Sequence, residues 1–180
     1  MGKKDNFDVY ENIRKELGDI HLIDAHNHLP SEEKWITGKD DFTTLLGYAS
    51  TDLVNAGMPR DILPQAVDER MRASYGYDVE DIKSVEEKWE IIKPYWRYVR
   101  NIGSGATTRK ALSLLFGCDD FDDSTIPIIQ EKIKTYQKPG IYKQLLTERS
   151  KIDSVCNVVM STKECPPDDI LAPQLYTDTY

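Results

Sequence analysis

The chain has few of the groups that most often organise a small protein. Three cysteines stand among its 180 residues, at Cys118, Cys156 and Cys165. An odd number with no C-x-x-C pair indicates neither a disulfide framework nor a thiolate zinc knuckle, and a reducing, cytoplasmic compartment is expected. No stretch approaches the roughly 20 apolar residues of a membrane span, so no membrane partner is expected. The charged start Met1-Gly2-Lys3-Lys4-Asp5-Asn6 lacks the apolar segment of a secretory signal. Its Met1-Gly2 also lacks the Ser or Thr that a myristoylation start places at Asn6. Basic residues are the minority, 23 Lys+Arg against 31 Asp+Glu, and the net charge of -8 disfavours a nucleic-acid scaffold. Gly103-Ser104-Gly105-Ala106 is glycine-rich but lacks the lysine and length of a phosphate loop, and reads as a helix entry. Repeats and low-complexity tracts are absent.

Histidine is as scarce as cysteine. All three histidines fall in Ile20-His21-Leu22-Ile23-Asp24-Ala25-His26-Asn27-His28-Leu29-Pro30. The apolar run at its start is short and bounded by Gly18 and Pro30, which favours a strand over a helix. Alternation then puts Ile20, Leu22, Asp24, His26 and His28 on one face, with His21, Ile23, Ala25 and Asn27 on the other. Both faces carry apolar residues, as in a parallel strand buried on both sides. His26 and His28 would project together from the strand end, and two neutral imidazoles are half of a tetrahedral zinc site. A divalent ion lowers the pKa of water from about 15.7 to about 7 and polarises a carbonyl. Zinc is the expected ion, and iron and nickel also suit imidazole. Asp24 shares the histidine face, either orienting an imidazole through a hydrogen bond or closing the strand end as an ordinary bonded carboxylate. His21 points away and reads as structural.

The remaining chain reads as mostly helical. Residues 5–17 carry Val9, Ile13 and Leu17 at helical spacing, closed by Gly18. Residues 40–150 look almost wholly helical, with candidates at 43–49, 63–74, 84 onward, 107–116 and 142–149. Ser84-Val85-Glu86-Glu87 fits a capping box. Val85, Trp89, Ile92, Trp96 and Val99 form an apolar stripe, with both tryptophans assigned to the core and a kink expected at Pro94. Gly117 closes one helix, and Asp123 is expected to cap the next, with Ile126, Ile129 and Ile133 on its buried face. Arg97, Arg100 and Arg109 could bind a substrate carboxylate, or pair with the many acids nearby. A second strand is expected over 152–160, followed by a proline-rich loop and no further element. Two parallel strands do not make a stable sheet, so the chain would pair in a homo-oligomer or belong to a longer protein.

Ile23-Asp24-Ala25-His26-Asn27-His28-Leu29 resembles the D-x-H-x-H signature that ends the first barrel strand in the amidohydrolase superfamily. Ser84-Val85-Glu86-Glu87-Lys88-Trp89, Pro94-Tyr95-Trp96-Arg97-Tyr98-Val99-Arg100, Leu115-Phe116-Gly117 and Asp119-Asp120-Phe121-Asp122-Asp123 are similar to the helical insertion of its uronate-isomerase-related branch. The resemblance runs from about Asp19 to Met160. It implies an α/β chain, residues 1–180 forming the N-terminal portion of a single (β/α)8 TIM barrel with the site at the strands' C-terminal ends. The insertion, about 40–150, would lie between strands 1 and 2. His26 and His28 would be metal ligands, with Asp24 behind them and Arg97 and Arg100 toward a small-molecule substrate such as a carboxylate. The remaining ligands come from later strands. The implied activity is metal-dependent hydrolysis with an activated water, and uronate isomerisation or decarboxylation are alternatives in the same superfamily. The 180-residue chain alone is expected to be inactive. A reading of a different class is a noncatalytic helical interaction module without metal.

Overall fold

The computed structural model describes residues 3–67, 83–159 and 170–175. They form a mixed α/β chain divided into two compact units, Met1–Thr37 with Lys138–Tyr180, and Gly38–Gln137. No helix among the described residues is long and apolar enough to cross a membrane.

The first unit carries α1 (Lys3–Gly18), β1 (Leu22–Asn27), α2 (Glu32–Thr37), a π-helical segment (Lys143–Arg149), β2 (Ile152–Val159) and β3 (Leu171–Leu175). The strands form one parallel sheet in the order β1-β2-β3. The third strand corrects the expectation that nothing follows β2. Its Pro173, opposite Asn157, had argued against a strand. An outer strand tolerates proline because one side of its backbone needs no ladder donor.

Burial follows strand position. On the middle strand, Val155 and Asn157 are fully buried. On β1 the expected burial of both faces does not occur: Leu22 and Ile23 are 51% and 71% exposed. Among the described residues β1 pairs on one side only, so its side chains gain cover from one neighbour instead of two. The stripe on α1 behaves alike, with Val9, Ile13 and Leu17 all exposed.

The second unit comprises a 3-10 turn (Phe42–Leu46), α3 (Ala49–Asn55), α4 (Leu63–Ala66), α5 (Val85–Val99), α6 (Gly103–Ala111) and α7 (Thr125–Tyr136). The expected helix over 43–49 is thus a 3-10 turn followed by a separate helix. Of the expected helix over 63–74, residues 68–74 lie outside the described residues. Ser84 opens α5 with the capping box the sequence suggests: its Oγ accepts from Glu87 N at 3.2 Å, and its own N donates to Glu87 Oε2 at 2.8 Å. Trp89, Ile92, Trp96 and Val99 are buried, whereas Val85 only packs against the edge of the core. The helix continues through Pro94, which lies on the exposed face. There the Glu90 carbonyl that loses its helical donor can bond water.

α6 begins at Gly103, earlier than expected, and passes into a π turn over Leu112–Phe116 that ends at Gly117 with φ of 65°. A Cβ on Gly105 would lie 2.0 Å from Val99 O, so glycine lets α6 meet the end of α5. The carboxylate that caps the entry to α7 is that of Asp122 and not Asp123, two residues before the N-cap position Ser124: Asp122 Oδ1 accepts from Ser124 N at 2.8 Å and Thr125 N at 2.9 Å. Asp123 instead accepts from Trp89 Nε1 at 2.7 Å and Lys93 Nζ at 2.7 Å. Phe121 centres the aromatic core, 5.1 Å from Trp96 and 5.4 Å from Phe42 between ring centroids. Ile126, Ile129 and Ile133 are buried as expected. The core also holds a charged pair: Lys88, a residue only 3% exposed, meets Asp41 Oδ2 through its Nζ at 2.5 Å.

Trp96→Ala should lower stability by about 3–5 kcal/mol, because a buried aromatic is lost together with its Nε1 bond to Asp120; urea unfolding reads this directly. Acid sensitivity offers a second check. The Ser124 hydroxyl, helped by the Thr125 and Ser124 backbone N–H groups, holds Asp122 below the ordinary carboxylate value of 3.8. A depressed folded-state pKa adds stability that is present above 3.8 and is lost as pH falls through the folded value. Asp122→Ala should therefore cost about 0.5–2 kcal/mol at neutral pH, the usual worth of a cap, and progressively less below pH 3.8. Equal costs at pH 7 and pH 2 would refute the assignment.

Candidate metal centre at the end of the first strand

β1 does not end as a regular strand. Asp24 pairs with Val155 and Asn27 with Asn157, so three steps on β1 face two on β2. One extra residue is thereby bulged out, and simple alternation fails at the bulge. The two imidazoles nevertheless converge. His26 Nε2 lies 3.1 Å from His28 Nε2, with ring centroids 4.9 Å apart and planes at 81°. Both side chains are exposed. Two zinc–nitrogen bonds of about 2.0–2.1 Å at a tetrahedral angle would set their nitrogens about 3.3–3.4 Å apart. The pair is within a few tenths of an ångström of that separation, so its donor set fits two ligands of one ion. Among the described residues no group of three or more His, Cys, Asp or Glu side chains is placed to hold a metal.

A chain of short-range hydrogen bonds holds the strand end. Asp24 Oδ1 accepts from His26 N at 3.2 Å, and Asp24 Oδ2 accepts from Asn27 Nδ2 at 2.6 Å. Asn27 Oδ1 in turn accepts from His28 N at 2.8 Å. Asp24 therefore acts on His26 through its backbone, and neither of these bonds goes to an imidazole. Past the strand, Tyr142 donates its hydroxyl to Pro30 O at 2.8 Å. Glu32 accepts from Gly140 N at 3.1 Å and Tyr142 N at 2.8 Å.

The sequence analysis assigns no role to Asn157. In the structure it is fully buried, with Oδ1 accepting from Leu29 N and Nδ2 donating to Leu29 O, both at 2.7 Å. The available signal was a lone carboxamide in a valine-rich strand, since a buried polar side chain must find partners.

The other candidates have partners elsewhere. His21 Nδ1, just before β1, lies 2.8 Å from Asp153 Oδ1 near the start of β2, in an exposed pair. Arg97 and Arg100 belong to the helical unit. Arg97 lies 4.4 Å above the Tyr98 ring and bonds its hydroxyl. Arg100 Nη2 pairs with Asp120 Oδ2 at 2.7 Å. Arg109 donates to Asp119 O at 3.1 Å and Asn101 Oδ1 at 3.0 Å.

No protein-family model, curated protein or solved structure matches this chain.

Asp24→Ala removes two hydrogen bonds, each worth about 0.5–1.5 kcal/mol net. It should accelerate hydrogen exchange at the His26 amide while leaving the amides of α5 unchanged. An unaltered His26 amide would show that Asp24 does not hold the strand end.

Proposed function

We propose that His26 and His28 are two ligands of a divalent metal site in a metal-dependent hydrolase of the amidohydrolase type, with zinc the first candidate. The observation that carries this reading is the 3.1 Å approach of the two Nε2 atoms at the C-terminal end of a parallel strand. Strand ends are where α/β barrels gather their active sites. Three parallel strands adjacent in chain order support a barrel-type sheet. So do Leu22 and Ile23, successive and exposed on β1, which a continuing sheet and its flanking helices would cover.

When bound, the ion would supply Lewis-acid chemistry, acidifying water and polarising a substrate carbonyl. The chain's own part is to present two imidazoles, which must be neutral to ligate. Asp24 and Asn27 orient them by fixing the backbone N–H groups of His26 and His28. The substrate would be a small molecule, a carboxylate being one class. Uronate isomerisation and decarboxylation would use the same pair of ligands. A noncatalytic helical module remains a second reading, because Gly38–Gln137 has a hydrophobic core of its own.

Calorimetric titration of the 180-residue chain with Zn2+ separates the two. The metal reading expects one weakly held ion and no turnover, since catalytic zinc generally takes three protein ligands. His26→Ala and His28→Ala should each abolish binding. Zinc binding that both variants retain would refute the assignment, and tight stoichiometric zinc with hydrolysis would refute the incomplete site.

A further inference from the structure

The middle strand contributes to the histidine pair without ligating anything. We infer that Asn157 is a positioning residue for it, acting through the peptide groups of Leu29; this rests on the metal reading above.

Asn157 stands opposite Asn27, the last residue of β1 in register with β2. Beyond it the strand pairing ends, yet the carboxamide presents an N–H donor and a carbonyl acceptor side by side, the same pair of groups that a backbone ladder uses. It turns one of each to Leu29, accepting from its N and donating to its O at 2.7 Å each. A side chain thus adds one more rung where the backbone ladder has run out. Leu29 directly follows His28, and Asn27 Oδ1 holds the His28 N–H on the other side at 2.8 Å. The His28 backbone is therefore tied before and after the ligand, leaving its side-chain torsions to set the 3.1 Å approach to His26. Full burial matters here. On the Asn157 side no water can take the place of Leu29, so loss of one bond leaves a buried polar group short of a partner as well as a slack loop.

A ligand held by such an outer partner typically loses about 10–100-fold in metal affinity when the partner is removed. The test is Zn2+ calorimetry on the 180-residue chain and on Asn157→Ala, Asn157→Asp, His28→Ala and Ile129→Val. Asn157→Asp keeps the acceptor for Leu29 N but loses the donor to Leu29 O. Ile129→Val trims the core of the helical unit and controls for stability alone. Both Asn157 variants should bind zinc about 10–100-fold more weakly, and Ile129→Val should bind as the unsubstituted chain does. Binding lost in His28→Ala but unchanged in Asn157→Ala would overturn this inference and leave the metal reading standing. Zinc binding that survives His28→Ala would overturn both. If the Asn157 variants do not fold, hydrogen exchange on the unsubstituted, metal-free chain decides. A Leu29 amide as protected as that of Val155 supports the clamp, and one exchanging at the rate of an open loop overturns it.

Discussion

The pairing of β1 with β2 is the contact on which the rest of the structure depends. It joins Leu22 to Ile152 and Asn27 to Asn157 across most of the length of the chain. Closing so long a loop costs only slowly more as length grows. Here much of the intervening chain is itself a compact unit, Gly38–Gln137, with its own core. The parallel sense of the pairing requires a long crossover, and it carries the ends of β1 and β2 to the same side of the sheet. Asn157 reaches Leu29, next to His28, for that reason.

At this strand end polar groups replace the regular ladder. The bulge between Asp24 and Asn27 interrupts alternation, and side chains take over what the backbone no longer does. Asp24 bonds forward to His26 N and Asn27, Asn27 bonds His28 N, and Asn157 bonds Leu29 on both its N and O. Each bond is local or crosses a single strand spacing, so the geometry of the two imidazoles depends on few residues. The arrangement is exposed at the two histidines and fully buried at Asn157. The proposed ion site would need that gradient, open to an ion yet with its ligands held from behind.

The helical unit follows a different logic. Phe121 gathers Trp89, Trp96 and Phe42 around it, and two aspartates, Asp120 and Asp123, take the indole N–H groups. The same two carboxylates pair with Arg100 and Lys93. Aromatic burial and acid–base pairing are thus one network, in which Arg100, one of the arginines considered for a substrate, is paired with Asp120.

Much of this was legible in the residue order, because it depends on contacts within a few positions. The capping box at Ser84, the buried spacing of Trp89, Ile92, Trp96 and Val99, the closure at Gly117 and the strand nature of Leu22–Asn27 all follow from local periodicity and turn chemistry. So did the closeness of His26 and His28, two residues apart at a strand end. Contacts between distant residues decided the remainder. Tertiary pairing made β3 from a segment whose Pro173 argued against a strand, and gave the cap of α7 to Asp122 while Lys93 and Trp89 took Asp123. It exposed the apolar face of α1 and turned Asn157 from an unremarkable strand residue into the support of Leu29. Sequence alone determined which elements could form and where imidazoles could gather, since both are set by spacing along the chain. Only the tertiary structure decided which polar groups meet, because hydrogen-bond partners more than a hundred residues apart are chosen by strand register.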